Sequence, residues 1–326
     1  MDLRLALFEL IARHGLDASA AQRLHRVAGL HDEPVSLARV LPLGIAVLGA
    51  ALGGMGVILW IAANWDTLGR FGRFALLQGF VLVMCLGALS RPAARAPLGL
   101  LALLGIGGLF AYFGQTYQTG ADPWQLFALW AALALPLCLG VRSDVLWAPW
   151  ALVMATAISL WTHAHVGQRW WRVERDDFGA YTLAWCAALL LGAALSRLAR
   201  RFTGAGLWAL RTAATLSVVM ISFSALGALF GRDIAPQYAT AIGVLAVAAV
   251  GLGSRAAFDV YALSAVALGL DTLLVCGLAR WLFDVQHQDH IGSLLAIGAV
   301  AAALLAASVS AILRLAKLRG GDGDTR

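Results

Sequence analysis

A run of polar side chains interrupts an otherwise apolar chain at Gly114-Gln115-Thr116-Tyr117-Gln118-Thr119-Gly120-Ala121-Asp122-Pro123-Trp124-Gln125. Apolar runs flank it at 97–113 and 126–141, so insertion into lipid supplies no reason for these amides, hydroxyls and carboxylate. Groups of this kind recognise ligands by hydrogen bonding, and loops carry binding residues more often than the elements they join. A second polar group, Asn64-Trp65-Asp66, closes the first long apolar run. Together Asn64, Trp65, Asp66, Gln115, Tyr117, Gln118, Asp122 and Trp124 form a candidate ligand- or partner-binding set. A plainer role competes with binding. Asp122 is a natural helix cap with Pro123 at the first helical position. Trp and Tyr also belong to the aromatic belt at a membrane interface.

Asp271 is the second outlier, because it lies inside a long apolar run. It falls twelve residues beyond Asp259, about 18 Å further along a helix. An acid at that depth costs roughly 2.5–3.5 kcal/mol on insertion scales and is read first as a proton- or ion-handling group. Its plainer role is a carboxyl bonded to a neighbouring hydroxyl, and Arg211 is a possible partner. His163-x-His165 and His287-x-Asp289-His290 offer imidazole and carboxylate donors for zinc or copper. Their spacing matches no metal motif, and no metal or other cofactor is expected. The four cysteines, Cys85, Cys138, Cys186 and Cys276, sit singly in apolar runs and read as small buried hydrophobes. The chain has no phosphate-binding glycine loop, no nucleophile elbow and no H-E-x-x-H. An enzyme is not expected.

The elements that hold these residues follow from composition. Of the 326 residues, 61% are hydrophobic and 13% are charged, and the mean hydropathy is +0.80. Soluble domains carry about 25% charged residues, so this is a membrane composition. The net charge of +6 does not point to nucleic acid, because the arginines stand in short clusters between apolar runs. A spanning helix needs about 20 apolar residues. Ten segments qualify: 41–63, 74–90, 97–113, 124–141, 145–163, 178–196, 206–230, 237–253, 258–283 and 291–315. The second, third and eighth are the shortest. The first is too long for a cleavable signal core and reads as an uncleaved anchor.

With the N-terminus cytoplasmic, Arg70, Arg73, Arg169, Arg172, Arg175, Arg232 and Arg280 fall outside and the other 17 of the 24 basic residues fall inside. That bias places both termini in the cytoplasm. Asn64, Asp66, Gln115, Asp122 and Gln78 then share the outer side. Residues 1–40 read as a cytoplasmic helical head, with Leu3, Leu7, Leu10 and Ile11 on one stripe, Gly15 ending one helix and Asp17 capping the next. Residues 41–163 and 164–319 form two membrane portions, and 320–326 read as a frayed tail. Gly49-x-x-x-Gly53 with Gly54 and Gly56, and Gly105-x-Gly107-Gly108, signal close helix packing.

The motifs Ile61-Ala62-Ala63-Asn64-Trp65-Asp66, Gly114 to Asp122, and Trp124-Gln125-Leu126-Phe127 with Trp130 and Leu135-Pro136 carry a resemblance. Over residues 1–163 the chain resembles a family of predicted bacterial membrane proteins, domain of unknown function 2157. The resemblance implies a bacterial inner-membrane location and assigns no activity or catalytic residue. The expected fold is an all-α polytopic bundle of about ten spans. The expected function is non-enzymatic binding or scaffolding, with an envelope protein or small ligand engaged on the outer face and the lipid bilayer as surroundings. The alternative is a proton- or ion-coupled secondary transporter that uses Asp271.

Overall fold

A computed structural model describes residues 3–27, 35–64, 69–117, 120, 122–166, 173, 175–231, 233–254, 257–285 and 290–320. Among the described residues all regular secondary structure is helical. Its helices are α1 (Leu3–His14), α2 (Ala18–Val27), α3 (Val35–Ala63), α4 (Arg70–Ser90), α5 (Arg95–Tyr117), α6 (Pro123–Val141), α7 (Asp144–Val166), α8 (Phe178–Ala194), α9 (Arg200–Thr203), α10 (Leu207–Leu229), α11 (Pro236–Leu252), α12 (Val260–Val285) and α13 (His290–Gly320). The chain divides into two compact units, Met1–Gly49 and Ala50–Arg326.

In the first unit Gly15 takes a positive φ of 59° after α1, a conformation that costs glycine nothing. The Asp17 carboxylate accepts the Ala20 N–H at 2.7 Å and so caps α2 as its sequence position suggested. Of the apolar stripe on α1, Leu7 is buried and Leu10 is exposed.

All ten apolar segments are helical. Among the described residues eight helices are long and apolar enough to cross a membrane, whereas α8 and α11 have 17 residues each. At 1.5 Å per residue those two reach about 25 Å against a hydrocarbon core of about 30 Å. They nevertheless run between the same two ends of the second unit as α10. Val173, just before α8, lies against Gly227 near the end of α10, while Arg197, just after α8, reaches Asp259 near its start. The Ala235 N–H that precedes α11 bonds Ala228 O, and the Ser254 carbonyl beyond α11 accepts Arg319 from the last turn of α13. Expected spans two and three are full-length helices, because α4 and α5 continue past their apolar stretches into polar residues. The eighth is short, as expected.

Helix α10 is the centre of the second unit and packs against α7, α8, α11 and α12. Its buried positions are mostly small: Ala209, Ala213, Ser217, Ser224, Ala225 and Ala228. Small residues let neighbouring backbones approach where lipid provides no hydrophobic drive. Two buried clusters share this helix. One joins Leu103, Cys138, Trp147, Ala151 and Leu191 to Ala209 and Ala213. The other joins Trp185, Ile221, Ala225, Leu245 and Leu273.

The glycines of α5 do pack closely. Gly105 faces Phe80 and Val81, Gly107 faces the Trp130 indole, and Gly108 faces Ile58 and Leu77. Of the α3 group only Gly54 has close neighbours, Leu101 and Leu104; Gly49, Gly53 and Gly56 face open space, so the Gly49-x-x-x-Gly53 pair is not a packing seam among the described residues. Trp130 cannot retreat easily, since its Nε1–H donates to Leu103 O at 2.9 Å. Gly107→Ala is therefore expected to cost about 1–3 kcal/mol through overpacking. Gly140→Ala meets nothing within 4 Å and gains a few tenths of a kcal/mol, roughly 0.4 or more, from the stiffer unfolded chain. Thermal unfolding of the two variants in detergent checks the contrast.

Candidate functional site

The expected polar site lies at the end of the second unit where α3 and α5 finish and α4 and α6 begin. Ile61 of α3, Leu77 of α4 and Tyr112 of α5 form one buried cluster, and Phe74 meets Tyr112 edge-on at 4.5 Å. Asn64 and Gln115 stand three residues beyond Ile61 and Tyr112, at the same end of the bundle. Asn64 closes α3: its backbone N–H and its Nδ2–H both donate to Trp60 O, at 3.1 and 2.9 Å. Gln115 is exposed on the last turn of α5. Trp65, Asp66, Gln118 and the side chain of Tyr117 lie outside the described residues. Gln78 is exposed on α4 at this same end.

Asp122 and Pro123 start α6 at the N-cap and first-turn positions. The Asp122 backbone is extended (φ −61°, ψ 140°), and its carbonyl accepts the Gln125 N–H at 3.0 Å. Its exposed carboxylate makes no capping hydrogen bond. The residue therefore starts the helix with its backbone and not with its carboxylate. Trp124 is half-buried and its indole lies 6.4 Å from the His165 ring at the far end of α7. His165 stacks on Trp161 at 4.3 Å, and its Nδ1 is bonded to Trp161 O at 2.8 Å. The Trp124 Nε1–H is buried with no acceptor among the described residues. An unpaired buried donor costs about 1–3 kcal/mol, so this N–H is the least satisfied polar group of the site among the described residues.

His165 and Trp161 were assigned no part in this site from sequence, since 41 residues separate His165 from Trp124. Of the possible metal ligands, His287 and Asp289 lie outside the described residues, and no three His, Cys, Asp or Glu gather among the described ones.

On the same half of the bundle, α7, α8 and α10 line a half-open cavity of about 470 Å³. Leu152, Val219, Met220 and Phe223 make its walls, with Thr156, Ser159, His163 and Ser224 as polar members. The Trp185 Nε1–H donates to Ser224 Oγ at 3.1 Å, and Ser224 passes its own hydroxyl back to Met220 O, so the polar groups of this wall are tied into the helices.

Asp271 sits in the α12–α13 contact. Ser308 Oγ donates to its Oδ1 at 3.1 Å, while Oδ2 is buried with no hydrogen-bond partner among the described residues. The hydroxyl partner fits the plainer of its two expected roles. Arg211 is not that partner: it pairs with Asp259, Nη2 to Oδ2, at 3.5 Å. Helices α10 and α12 run parallel, so Arg211 at the start of one is level with Asp259 at the start of the other, about 18 Å from Asp271.

This arrangement is that of a polytopic helical membrane protein. Residues 8–147 match the family described as Predicted membrane protein (DUF2157), and that match bears out the resemblance read from the motifs. The match takes in Asn64 to Asp66 and the whole Gly114–Gln125 patch, and it stops at the start of α7. The cavity, Asp271 and the centre of the bundle at α10 lie beyond it. No curated protein and no solved structure matches the chain.

Proposed function

We propose that this membrane protein is a non-enzymatic binding or scaffold protein of a bacterial inner membrane, with both termini in the cytoplasm. The polar end of α3, α5, α6 and α7 faces outward in that orientation and engages an envelope partner or small ligand. The supporting observation is the Trp124 indole, whose buried N–H has no acceptor among the described residues and which follows Asp122 by two positions at the start of α6. The orientation rests on the excess of arginine on the opposite side. Trp124→Phe keeps an aromatic side chain and removes that donor together with the pyrrole half of the indole. Photo-crosslinking from position 115, followed by co-purification, is expected to show about tenfold weaker retention in Trp124→Phe, the loss of roughly 1.4 kcal/mol. Asp122→Asn and Asp66→Asn are expected to weaken it further. Unchanged retention across all three variants, with the protein folded, overturns the reading.

A second reading, a proton- or ion-coupled secondary transporter, is favoured by the Asp271 Oδ2 atom, which is buried inside an apolar helix with no hydrogen-bond partner among the described residues.

A further inference from the structure

The opposite end of the second unit carries a charge imbalance that the binding reading does not use. Asp259 stands at the start of α12, and its side chain is only 2% exposed. Its Oδ1 accepts the Ala262 N–H at 3.0 Å and is spent on capping that helix. A single oxygen, Oδ2, is left for two guanidiniums: Arg211 from α10 at 3.5 Å and Arg197 from the segment after α8 at 3.9 Å. Each guanidinium offers five N–H donors in a planar fork. Arg211 Nε is buried without an acceptor among the described residues, while 30% of its side chain remains exposed. Both contacts to Oδ2 are long for charge-assisted hydrogen bonds, which run about 2.7–2.9 Å.

The surroundings suit an amphiphile. Arg211 lies 5.6 Å from the Trp208 ring and 5.5 Å from the Tyr261 ring, and these rings are 68% and 47% exposed. The Tyr261 hydroxyl is within 3.0 Å of Thr215 Oγ1. Arg319 stacks at 4.5 Å on Phe258, the residue before Asp259, and adds a third positive charge at this end. Basic pockets between spanning helices at the membrane surface accept phosphate headgroups, and an Arg fork matches two phosphate oxygens at once.

We infer that Arg197 and Arg211, with Trp208 and Tyr261 alongside, form a phosphate-binding site that takes the headgroup of an anionic phospholipid. Asp259 competes with the ligand for the guanidiniums while it holds them in place.

The test uses the full chain in a neutral detergent, titrated with phosphatidylglycerol, phosphatidylcholine or inorganic phosphate, with bound lipid read by native mass spectrometry. Phosphatidylglycerol is expected to bind in preference to phosphatidylcholine. Arg211→Gln is expected to weaken it at least tenfold, and Asp259→Asn to strengthen it several-fold by releasing both guanidiniums. The double variant Arg211→Gln with Asp259→Asn leaves no unpaired buried carboxylate and is expected to fold yet bind weakly. Displacement by millimolar inorganic phosphate assigns the site to a soluble anion, and no displacement assigns it to lipid. Equal lipid binding in wild type and the double variant overturns the site. So does an Asp259→Asn variant that loses lipid as Arg211→Gln does, because that shows a purely structural ion pair.

Discussion

Asp144→Ala is expected to lower the stability of the folded chain by about 2–3 kcal/mol, the range for losing hydrogen bonds to a charged group. Asp144 begins α7, but its carboxylate serves another helix. Oδ1 accepts the Gly206 N–H at 2.6 Å and the Ala209 N–H at 3.4 Å, and Oδ2 accepts the Trp208 N–H at 3.0 Å. A helix leaves its first four N–H groups without internal partners. Gly206, the N-cap of α10, has no side chain with which to satisfy any of them. Asp144 therefore caps α10 from 62 residues away and sets a negative charge at the positive end of its dipole. The contact is braced on both sides. The Trp147 Nε1–H donates to Thr203 O at 3.0 Å, and Arg142 Nη2 donates to Arg201 O at 2.6 Å. Asp144→Asn keeps one acceptor oxygen and is expected to lose only about 1 kcal/mol. The control is Asp122→Ala. That carboxylate makes no capping bond, so its removal is expected to stay within about 0.5 kcal/mol. Unfolding of the three variants in detergent decides the matter, and equal losses from Asp144→Ala and Asp122→Ala refute the interhelix cap.

This pair of aspartates shows what was legible in the sequence and what was not. Asp122-Pro123 is a local signal: cap position and fixed proline φ act within one turn, and α6 begins where they place it. The run lengths of apolar residues are local too, and each of the ten became a helix. Their ends were harder to read. Helix α5 continues through Gln115, Thr116 and Tyr117, so the polar patch is a last helical turn, a short connection and a new helix start. Hydropathy marks where lipid contact is tolerable, whereas backbone hydrogen bonding continues into water.

The contacts that define the sites were not legible for a different reason. Asp144 with Gly206, Trp124 with His165, and Asp271 with Ser308 are each set by which helix faces which. In a spanning helix nearly every face is apolar, so the amphipathic stripe that reveals a buried face in a soluble protein is missing. Arg211 illustrates the error this invites. Read by charge alone it could serve either Asp259 or Asp271, and only the parallel course of α10 and α12 puts it level with the former.

The transport reading of Asp271 makes the other large prediction. In sealed vesicles Asp271→Asn is expected to abolish pH-dependent solute uptake while the protein stays folded, because one buried polar group without a partner replaces another. The two halves of that expectation have separate causes. Asn matches Asp in shape and keeps a carbonyl oxygen for the Ser308 hydroxyl, so the α12–α13 contact at 3.1 Å survives. What it removes is the exchangeable proton. Ser308→Ala does the reverse: it keeps the carboxyl and removes the donor. Hydrogen bonds between spanning helices average about 0.6 kcal/mol and reach about 1.7, so Ser308→Ala is expected to be the less stable variant and to retain uptake. Exchange with water requires the buried Oδ2 to become exposed, so uptake also requires the α12–α13 contact to open. Weakening that contact with Ser308→Ala should then speed uptake, if anything, whereas a carboxyl that only clasps two helices predicts no such link. Uptake that persists in Asp271→Asn, or no uptake under any gradient, ends the transport reading and leaves Asp271–Ser308 as a helix clasp. The binding proposal at Trp124 is untouched by either outcome, since it rests on other helices.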